Sequence, residues 1–365
     1  MIQFECVQKE KNVKLCIMEG NMKTKKLISI ALVVIMMTTM LIGCSNTDSN
    51  MDAESAPKEV TITDHAGREV TVTGDYEKIV SGYYISTSML ISLGLTDKLV
   101  GIEAKAEKRP IYKLAAKELL ELPNVGTAKD FDLEGCIALK PDLVILPKKL
   151  TEQAKTLADT GITVIVVNPE NEELLKEAIE MIATATGTTE KAKELLSYYD
   201  EQYTKLEGIT KDSKDKPSVY LAGTSNILTV SSGKMYQNSV IEKAGGTNAA
   251  KDLTDDNWAN ISYEQLLSYN PDMIVIIPEA EFTKEDVLKD PELSNLNAVK
   301  NNAVYEMPSD FEAWDSPVPS GVLGSMWLVS IINEKEYSFD NFKDDAAKFY
   351  KQFYNVDIDK ELITK

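Results

Sequence analysis

The chain of 365 residues contains little cysteine and almost no histidine. Its single histidine, His65, falls in a predicted hairpin turn, which leaves no histidine for a hydrolase triad or a zinc-peptidase motif. Clusters that bind bare metal cations need several histidine and carboxylate ligands, so no such site and no cofactor is predicted. Of the four cysteines, Cys6, Cys16 and Cys44 lie near the start, and only Cys136 lies further along. A body with one cysteine has no internal disulfide, and Cys136 is expected to be a small buried apolar side chain.

Arginine is equally scarce. Only Arg68 and Arg109 occur among 39 basic residues, against 58 acidic ones, and the formal net charge is −19. Such an acidic protein is not expected to bind nucleic acid. Arg109 follows a predicted strand, beside Pro110 and near Tyr112, so its planar guanidinium is predicted to bind a carboxylate, phosphate or oxyanion in a cleft. The alternative is a solvated arginine in the charged run 105–109.

A short basic segment and an apolar segment stand near the start of the chain. Met22 to Lys26 is basic, Leu27 to Ile42 is mostly apolar, and Cys44 follows directly after Gly43. This arrangement resembles a bacterial lipoprotein signal peptide, in which cleavage before Cys44 is followed by lipidation of its thiol. The alternative is a retained membrane anchor, but the apolar run of about 16 residues is short of the ~20 that a spanning helix needs.

The segments around this signal are not expected to form part of the folded body. Residues 1–21 are interpreted as an upstream extension, 22–43 as the signal peptide, and the polar residues 44–58 as a flexible tether. Residues 1–43 include six lysines and three glutamates, so their removal makes the remaining chain still more acidic. The body is therefore expected on the extracytoplasmic face of the cell membrane, held there by the lipid on Cys44.

One segment of the body occurs twice. The segment from Glu134 to Pro147 returns as Glu264 to Pro278, with each glutamate seven residues before the proline of a Pro-Asp pair and 130 residues between copies. Each copy predicts a short helix, a break at Pro-Asp, and a buried apolar strand of a parallel sheet. Two matched copies indicate two related α/β units.

The repeated glutamates are predicted to mark the ligand side of each unit. Glu134 and Glu264 lie in the first turns of their helices, and a helix that leads into a parallel strand begins at the end of the layer where the strands finish. Open α/β sheets bind ligands at that end. A purely structural alternative is stabilisation of the helix start, worth a few tenths to about 1 kcal/mol. Their equivalent placement favours a pair of docking residues.

The remaining pattern predicts an α/β fold of two Rossmann-like lobes joined by one long helix, with a ligand cleft between the lobes. An opening β-hairpin begins at Val60. The N-terminal lobe is predicted over 59–170, the linking helix over 171–208 with Gly187 as its weak point, and the C-terminal lobe over 209–365. Closing helices are expected over 321–333 and 341–354.

Together these motifs resemble the substrate-binding proteins of bacterial ABC importers for ferric siderophores, haem and cobalamin. The resemblance covers roughly residues 58–355. The motifs on which it is based are Asp64-His-Ala-Gly-Arg68, Leu133-Glu134 with Pro141-Asp142, Ser232-Gly233 with Gly245-Gly246-Thr-Asn248, and Ile261-Ser262-Tyr-Glu264 with Pro271-Asp272.

The resemblance implies a monomeric, non-enzymatic transport protein. In that family two rim glutamates form salt bridges with arginines of the membrane permease, and Glu134 and Glu264 fall on those positions. The implied partners are the permease and ATPase subunits, a small metal chelate or anion as ligand, and the membrane through the lipid anchor. A hinge made of a single helix implies small motions and a mostly preformed cleft.

The loops at the strand ends supply the predicted ligand contacts. Tyr83 and Tyr84 follow one strand, and Tyr112 lies near Arg109. Trp258 corresponds to an aromatic residue that packs on the corrin ring in cobalamin binders. Ala128 and Pro147 stand where those proteins have further tryptophans, which disfavours cobalamin. The exposed-loop interpretation of Trp314-Asp315-Ser316 predicts a stacking face and free backbone donors at a helix start. The alternative for Trp314 is packing against the last helix.

The preferred function is capture of an iron(III) complex, either a siderophore or haem, and delivery to an ABC permease. Cobalamin or molybdate and tungstate are alternative cargoes in the same role. Two alternatives from other functional classes are a lipoprotein hydrolase and a ligand sensor. A hydrolase with paired catalytic carboxylates needs them within about 10 Å across a cleft, whereas Glu134 and Glu264 begin helices on outer rims.

Overall fold

The structure is a computed structural model that describes residues 59–211, 213, 216–255 and 257–365. The predicted extension, signal peptide, lipidation site at Cys44 and tether lie outside the described residues. Among the helices in these ranges, none has the length and apolar character required to cross a bilayer.

A β-hairpin opens the described chain, which confirms the prediction. Strand β1, Val60–Thr63, pairs antiparallel with β2, Glu69–Val72. In the turn the Asp64 carboxylate accepts hydrogen bonds from the amides of Ala66 and Arg68, each at 3.0 Å, and from the Arg68 guanidinium. The hairpin turn is thus closed by its own ion pair, and Arg68 is committed to it.

The first sheet follows the hairpin and has four parallel strands in the order β4-β3-β5-β6. Its strands are β3 Ile79–Ser81, β4 Leu99–Gly101, β5 Leu143–Pro147 and β6 Thr163–Val167, and its helices are α1 Tyr84–Ser92, α2 Pro110–Ala115, α3 Leu133–Ala138 and α4 Thr151–Asp159. Strands β5 and β6 are buried almost throughout, as expected for a parallel sheet covered on both faces.

Two helices, not one, follow the first sheet. They are α5, Glu172–Thr186, and α6, Thr189–Thr210, so the prediction of one long helix over 171–208 is wrong. Between them Gly187 adopts the left-handed conformation, with φ of 71°, and a Cβ at this position would lie 2.7 Å from the carbonyl oxygen of Gly74. The chain therefore turns at a point that favours glycine for both its backbone angle and its space.

The second sheet is mixed and contains six strands. Strands β7, β11 and β12 are parallel neighbours, β9 pairs with β7, and β8 pairs antiparallel with β7 and β10. The strands are β7 Ser218–Ala222, β8 Thr229–Val230, β9 Thr247–Asn248, β10 Ala259–Asn260, β11 Met273–Ile276 and β12 Val304–Glu306, with helices α7 Tyr236–Lys243, α8 Tyr263–Tyr269, α9 Lys284–Lys289 and α10 Asn297–Lys300. The α/β class with two sheets is therefore as predicted.

The closing helices are α11, Val322–Ile332, and α12, Phe339–Tyr354, in agreement with the sequence pattern. Helix α11 packs against α6, α7 and α12, whereas α5 packs against α1 and β1. Helices α5 and α6 lie side by side and antiparallel, since Lys176 Nζ of α5 lies 2.7 Å from Asp200 Oδ1 of α6. The connection is thus a helical hairpin whose first helix packs beside the first sheet and whose second packs with the helices of the second.

The repeated segments fold alike. The helix, the Pro-Asp break and the strand appear as α3 with β5 and as α8 with β11, and exposure follows the same residue-by-residue pattern over 133–140 and 263–270. In both copies the aspartate binds the start of the neighbouring strand: Asp142 accepts from the amides of Glu77 and Lys78, and Asp272 from the amide of Ser218, each at 2.9 Å. The Pro-Asp pair therefore ends a helix and fixes the register of the next strand pair.

Alternate residues of the strands divide the interior into three apolar clusters. Leu143 and Ile145 of β5 share one cluster with Val219 and Leu221 of β7, and helices α5, α6, α11 and α12 contribute to it. The outer faces of the two sheets pack into separate clusters, and buried Cys136 belongs to the one beside the first sheet. The two sheets are therefore joined by a continuous inner core.

Candidate functional site

A cavity of about 260 Å³ opens where strands of both sheets end. It is lined from the first sheet by residues that follow β3, β5 and β6, and from the second by residues that follow β7 and β11. Its lining residues include Tyr83, Tyr84, Lys149, Glu170, Gln237, Trp258, Ile277, Glu279, Asp315 and Ser316. This is the carboxyl-end position at which α/β sheets bind ligands, and it lies where the sequence predicted a cleft.

Aromatic side chains form one part of the cavity wall. Tyr83 and Tyr84 meet edge to face, with ring centroids 5.4 Å apart. Trp258 lies close to the backbone of Gly223, where a Cβ would come within 2.5 Å of its ring. Because glycine occupies that position, the indole has room to approach the backbone and still line the cavity. The predicted contacts Tyr83, Tyr84 and Trp258 are thus brought together.

The remaining wall is acidic. Glu170, Glu279 and Asp315 line the cavity, and Lys149 is the one basic side chain among its lining residues. Asp315 is 3% exposed and accepts a hydrogen bond from Gln237 Nε2 at 3.3 Å. Burial raises the pKa of Asp315 to about 6, and the charge of Glu279 adds to this rise. A negatively charged cavity favours a ligand that carries positive charge or hydrogen-bond donors.

Arg109 lies at the edge of this cavity and already has a carboxylate partner. Its guanidinium lies 4.0 Å from the centroid of the Tyr84 ring, and Nη1 donates to Oε1 of Glu279. The Arg109 side chain lines a smaller neighbouring cavity of about 120 Å³, which shares Tyr84 and Glu279 with the larger one. The predicted binding of an anion by Arg109 is therefore fulfilled here by a side chain of the protein itself.

Two predicted ligand contacts are wrong. Trp314 is 0% exposed, stacks on Phe311 and donates from Nε1 to the hydroxyl of Tyr350 in α12 at 2.8 Å. This is the packing against the last helix that the sequence left as the alternative. Tyr112 is also fully buried, and its hydroxyl donates to Glu103 at 2.7 Å. Neither ring offers a face to the cavity.

The predicted backbone donors near Ser316 are wrong as well. Ser316 lines the cavity, but its amide donates to the carbonyl of Ala313 at 2.9 Å, and helix α11 begins only at Val322. The segment is a turn before the helix rather than a helix start. Ser316 can therefore offer its side chain to a ligand, but not its backbone amide.

Several lining residues were missed by sequence reasoning, and three of them carry carboxylate or amide groups. Glu170 follows the last strand of the first sheet, Gln237 lies in the first turn of α7, and Glu279 follows Pro278 at the end of the second repeat copy. Only Glu279 had a usable signal, because the strand before it belongs to the repeated segment. Within the described ranges no group of three or more histidine, cysteine or acidic side chains is arranged to hold a metal ion.

Asp315 yields a prediction about stability. Because its pKa rises from 3.8 in an unfolded chain to about 6, the folded protein binds the proton more tightly, and keeping the carboxylate ionised above pH 6 costs stability. Asp315→Asn should therefore raise the free energy of unfolding at pH 8 by on the order of 3 kcal/mol. The gain should shrink as the pH falls from 6 towards 3.8, where the wild-type carboxyl is protonated in the folded state.

Urea unfolding at pH 8 and pH 4 measures this difference. Asp310→Asn, at an exposed position five residues earlier, serves as the control and should change stability little at either pH. A loss of stability in Asp315→Asn at pH 8 would show that the carboxylate is needed for packing rather than retained at a cost.

Comparison with known proteins identifies the family. Residues 79–311 match the family model described as periplasmic binding protein. An uncharacterized ABC transporter substrate-binding lipoprotein, YvrC of Bacillus subtilis, is 30% identical over an alignment of 307 residues that covers 80% of this chain and 93% of the relative. The Fe(3+)-citrate-binding protein YfmC of the same organism is 26% identical over 80% of this chain and 91% of its own.

A solved structure shows the same fold. The molybdate-binding protein MolA of Haemophilus influenzae, determined with molybdate bound, superposes with a TM-score of 0.73 at 23% identity, over 82% of this chain and 99% of MolA. The family match confirms that the chain is not an enzyme. It belongs to the periplasmic binding protein family and is the substrate-binding component of an ABC transporter.

Proposed function

We propose that this protein captures an iron(III) complex outside the cell membrane, to which Cys44 anchors it, and delivers the complex to an ABC permease. The observation that supports this cargo is the combination of an aromatic wall with three carboxylates in one cavity. The iron relative YfmC, which is named for Fe(3+)-citrate binding, directs the choice within the family towards iron.

The negative charge of the cavity limits which iron(III) complexes it can bind. Two like charges 4 Å apart repel by about 4 kcal/mol at an effective dielectric constant near 20. This repulsion exceeds the stabilisation of ~0.5–1.5 kcal/mol that stacking between two aromatic rings provides. Molybdate, ferric citrate and the propionates of haem would all bring negative charge towards Glu170, Glu279 and Asp315. A ferric complex of three hydroxamates is neutral, and a free amine makes it cationic, so a hydroxamate siderophore fits best.

Ligand binding should be visible in the fluorescence of one tryptophan. Trp314 and Trp327 are 0% exposed, whereas Trp258 is partly exposed and lines the cavity. Titration with the cationic complex ferrioxamine B should quench the wild-type emission at micromolar concentration. Trp258→Phe should lose most of this quenching but still bind the complex in a calorimetric titration, because the other two tryptophans lie in the core.

Molybdate, ferric citrate and cyanocobalamin are the comparison ligands. The proposal expects weaker or no response to each of them. A response to molybdate with none to any ferric complex would replace iron by an oxyanion as the cargo.

We further propose that Glu134 and Glu264 dock the protein on its permease. Both side chains are exposed, and neither lines the cavity. The helix starts are capped by other residues, since Asp132 accepts from the amide of Gly135 and Ser262 from that of Gln265. The cap beside Glu134 therefore comes from Asp132, whereas Glu264 also hydrogen-bonds to its cap residue Ser262.

Each of these glutamates has an exposed apolar neighbour one helical turn later. Ile137 is 37% exposed and Leu267 is 38% exposed, at matching positions of the two copies. Exposed single apolar residues are common, but two at equivalent repeat positions give each copy the same pair of charge and apolar surface. This supports a partner with two similar surfaces, each offering a cationic side chain to the glutamate and an apolar side chain to its neighbour.

Reversal of both charges tests the docking role. Glu134→Lys combined with Glu264→Lys should abolish cellular uptake of radioactive iron from the bound complex, because the lysines would repel cationic partner residues, while the affinity of the purified protein stays unchanged. The matched control combines Glu152→Lys and Glu285→Lys, which change exposed first-turn acids of α4 and α9. Normal uptake in the Glu134 and Glu264 double variant would remove the docking role.

A further inference from the structure

The chain has one arginine that can meet a ligand. Arg68 is held by Asp64 in the hairpin turn, at 2.6 Å, so Arg109 is the remaining guanidinium. Arginine is the side chain best suited to bind small oxyanions and carboxylates, because its planar fork donates two parallel hydrogen bonds. Whether Arg109 is available therefore decides whether the cavity can offer a guanidinium to an anion.

The backbone places Arg109 firmly at the cavity edge. A short turn at Ala106–Lys108 precedes it, and Pro110 occupies the first position of α2, where proline favours the start of a helix. The guanidinium lies over the ring of Tyr84 at 4.0 Å. Residues of the part of the chain that contains the first sheet therefore fix the position of the Arg109 charge.

Glu279 reaches Arg109 from the second sheet. It follows β11 in a turn in which the amide of Ala280 donates to Ile277 at 3.2 Å and the amide of Glu281 donates to Thr224 at 2.7 Å. The second hydrogen bond ties this turn to the segment after β7. The Glu279 side chain is 53% exposed and lines both the larger and the smaller cavity. Its carboxylate stands where the carboxylate or oxyanion of a ligand would bind Arg109.

We propose that Glu279 determines the charge of the ligands that the cavity accepts, because its carboxylate occupies Arg109 and adds a negative charge to the cavity wall. An anion would have to displace Glu279 from Arg109 and also approach Asp315 and Glu170, whereas a cation can approach this acidic wall without breaking the Arg109 to Glu279 pair. The inference rests on the proposed function only in that this cavity is the ligand site.

The test changes the charge of residue 279 and measures two ligands of opposite charge. In Glu279→Gln, molybdate should bind at least about fivefold more tightly than to the wild type, and ferrioxamine B about threefold more weakly. Glu279→Asp keeps the negative charge and should remain close to the wild type for both ligands. Opposite changes for the two ligands separate a charge effect from a loss of fold, which would weaken both.

The double variant Arg109→Gln with Glu279→Gln shows whether the gain passes through Arg109. It should lose the increase in molybdate affinity, with circular dichroism confirming that it is folded. The inference is wrong if Glu279→Gln binds molybdate no better than the wild type, or if the gain persists in the double variant. Failure of the wild type to bind ferric complexes would instead contradict the proposed cargo, and the molybdate comparison would still decide the role of Glu279.

Discussion

The continuous core between the two sheets is the constraint on which the rest of the structure depends. The inner faces of β5 and β6 and those of β7 and β11 pack into the same apolar cluster, which the connecting and closing helices complete. Protein interiors are close-packed, so displacement of one sheet against the other would open voids or force overlaps throughout this cluster. The cavity lies at the edge of that core, and its shape therefore follows from the packing beneath it.

This arrangement explains how a binding site with unfavourable charges can persist. Asp315 is buried with a raised pKa, and it shares the cavity with Glu170 and Glu279. Acidic groups held close together cost stability, and binding sites commonly retain such groups because the ligand compensates the charge. The Arg109 to Glu279 pair adds a contact across the cavity edge between segments that belong to different sheets.

Much of the fold could be predicted because local residue patterns determine it. The repeated Glu-to-Pro-Asp segments gave the two α/β units, since proline ends a helix and β-branched runs favour buried strands. The connector was misjudged because the left-handed turn at Gly187 depends on a close approach to Gly74, more than a hundred residues earlier, which no local pattern reveals. A helix-friendly composition on both sides of a glycine fits one kinked helix as well as two.

The location of the site could be predicted from the sequence, but only some of the residues that line it could. Strand direction located the cavity, and Tyr83, Tyr84 and Trp258 do line it. The position of an aromatic residue in a loop does not show which side of the loop it packs on, which is why Trp314 and Tyr112 were assigned to the cavity although both belong to the core. Glu279 was missed because its partner Arg109 lies 170 residues away in the chain.

Intrinsic probes on opposite sides of the inner core test its continuity directly. Cys136, beside the first sheet, is fully buried and unreactive until that region opens, whereas Trp258, Trp314 and Trp327 all report on the second part of the chain. In urea, pulsed thiol labelling of Cys136 in protein that lacks residues 1–44, and with them the other three cysteines, should show the same midpoint as the tryptophan fluorescence, because one core unfolds cooperatively. Labelling of Cys136 at a clearly lower urea concentration than the fluorescence change would contradict a shared core.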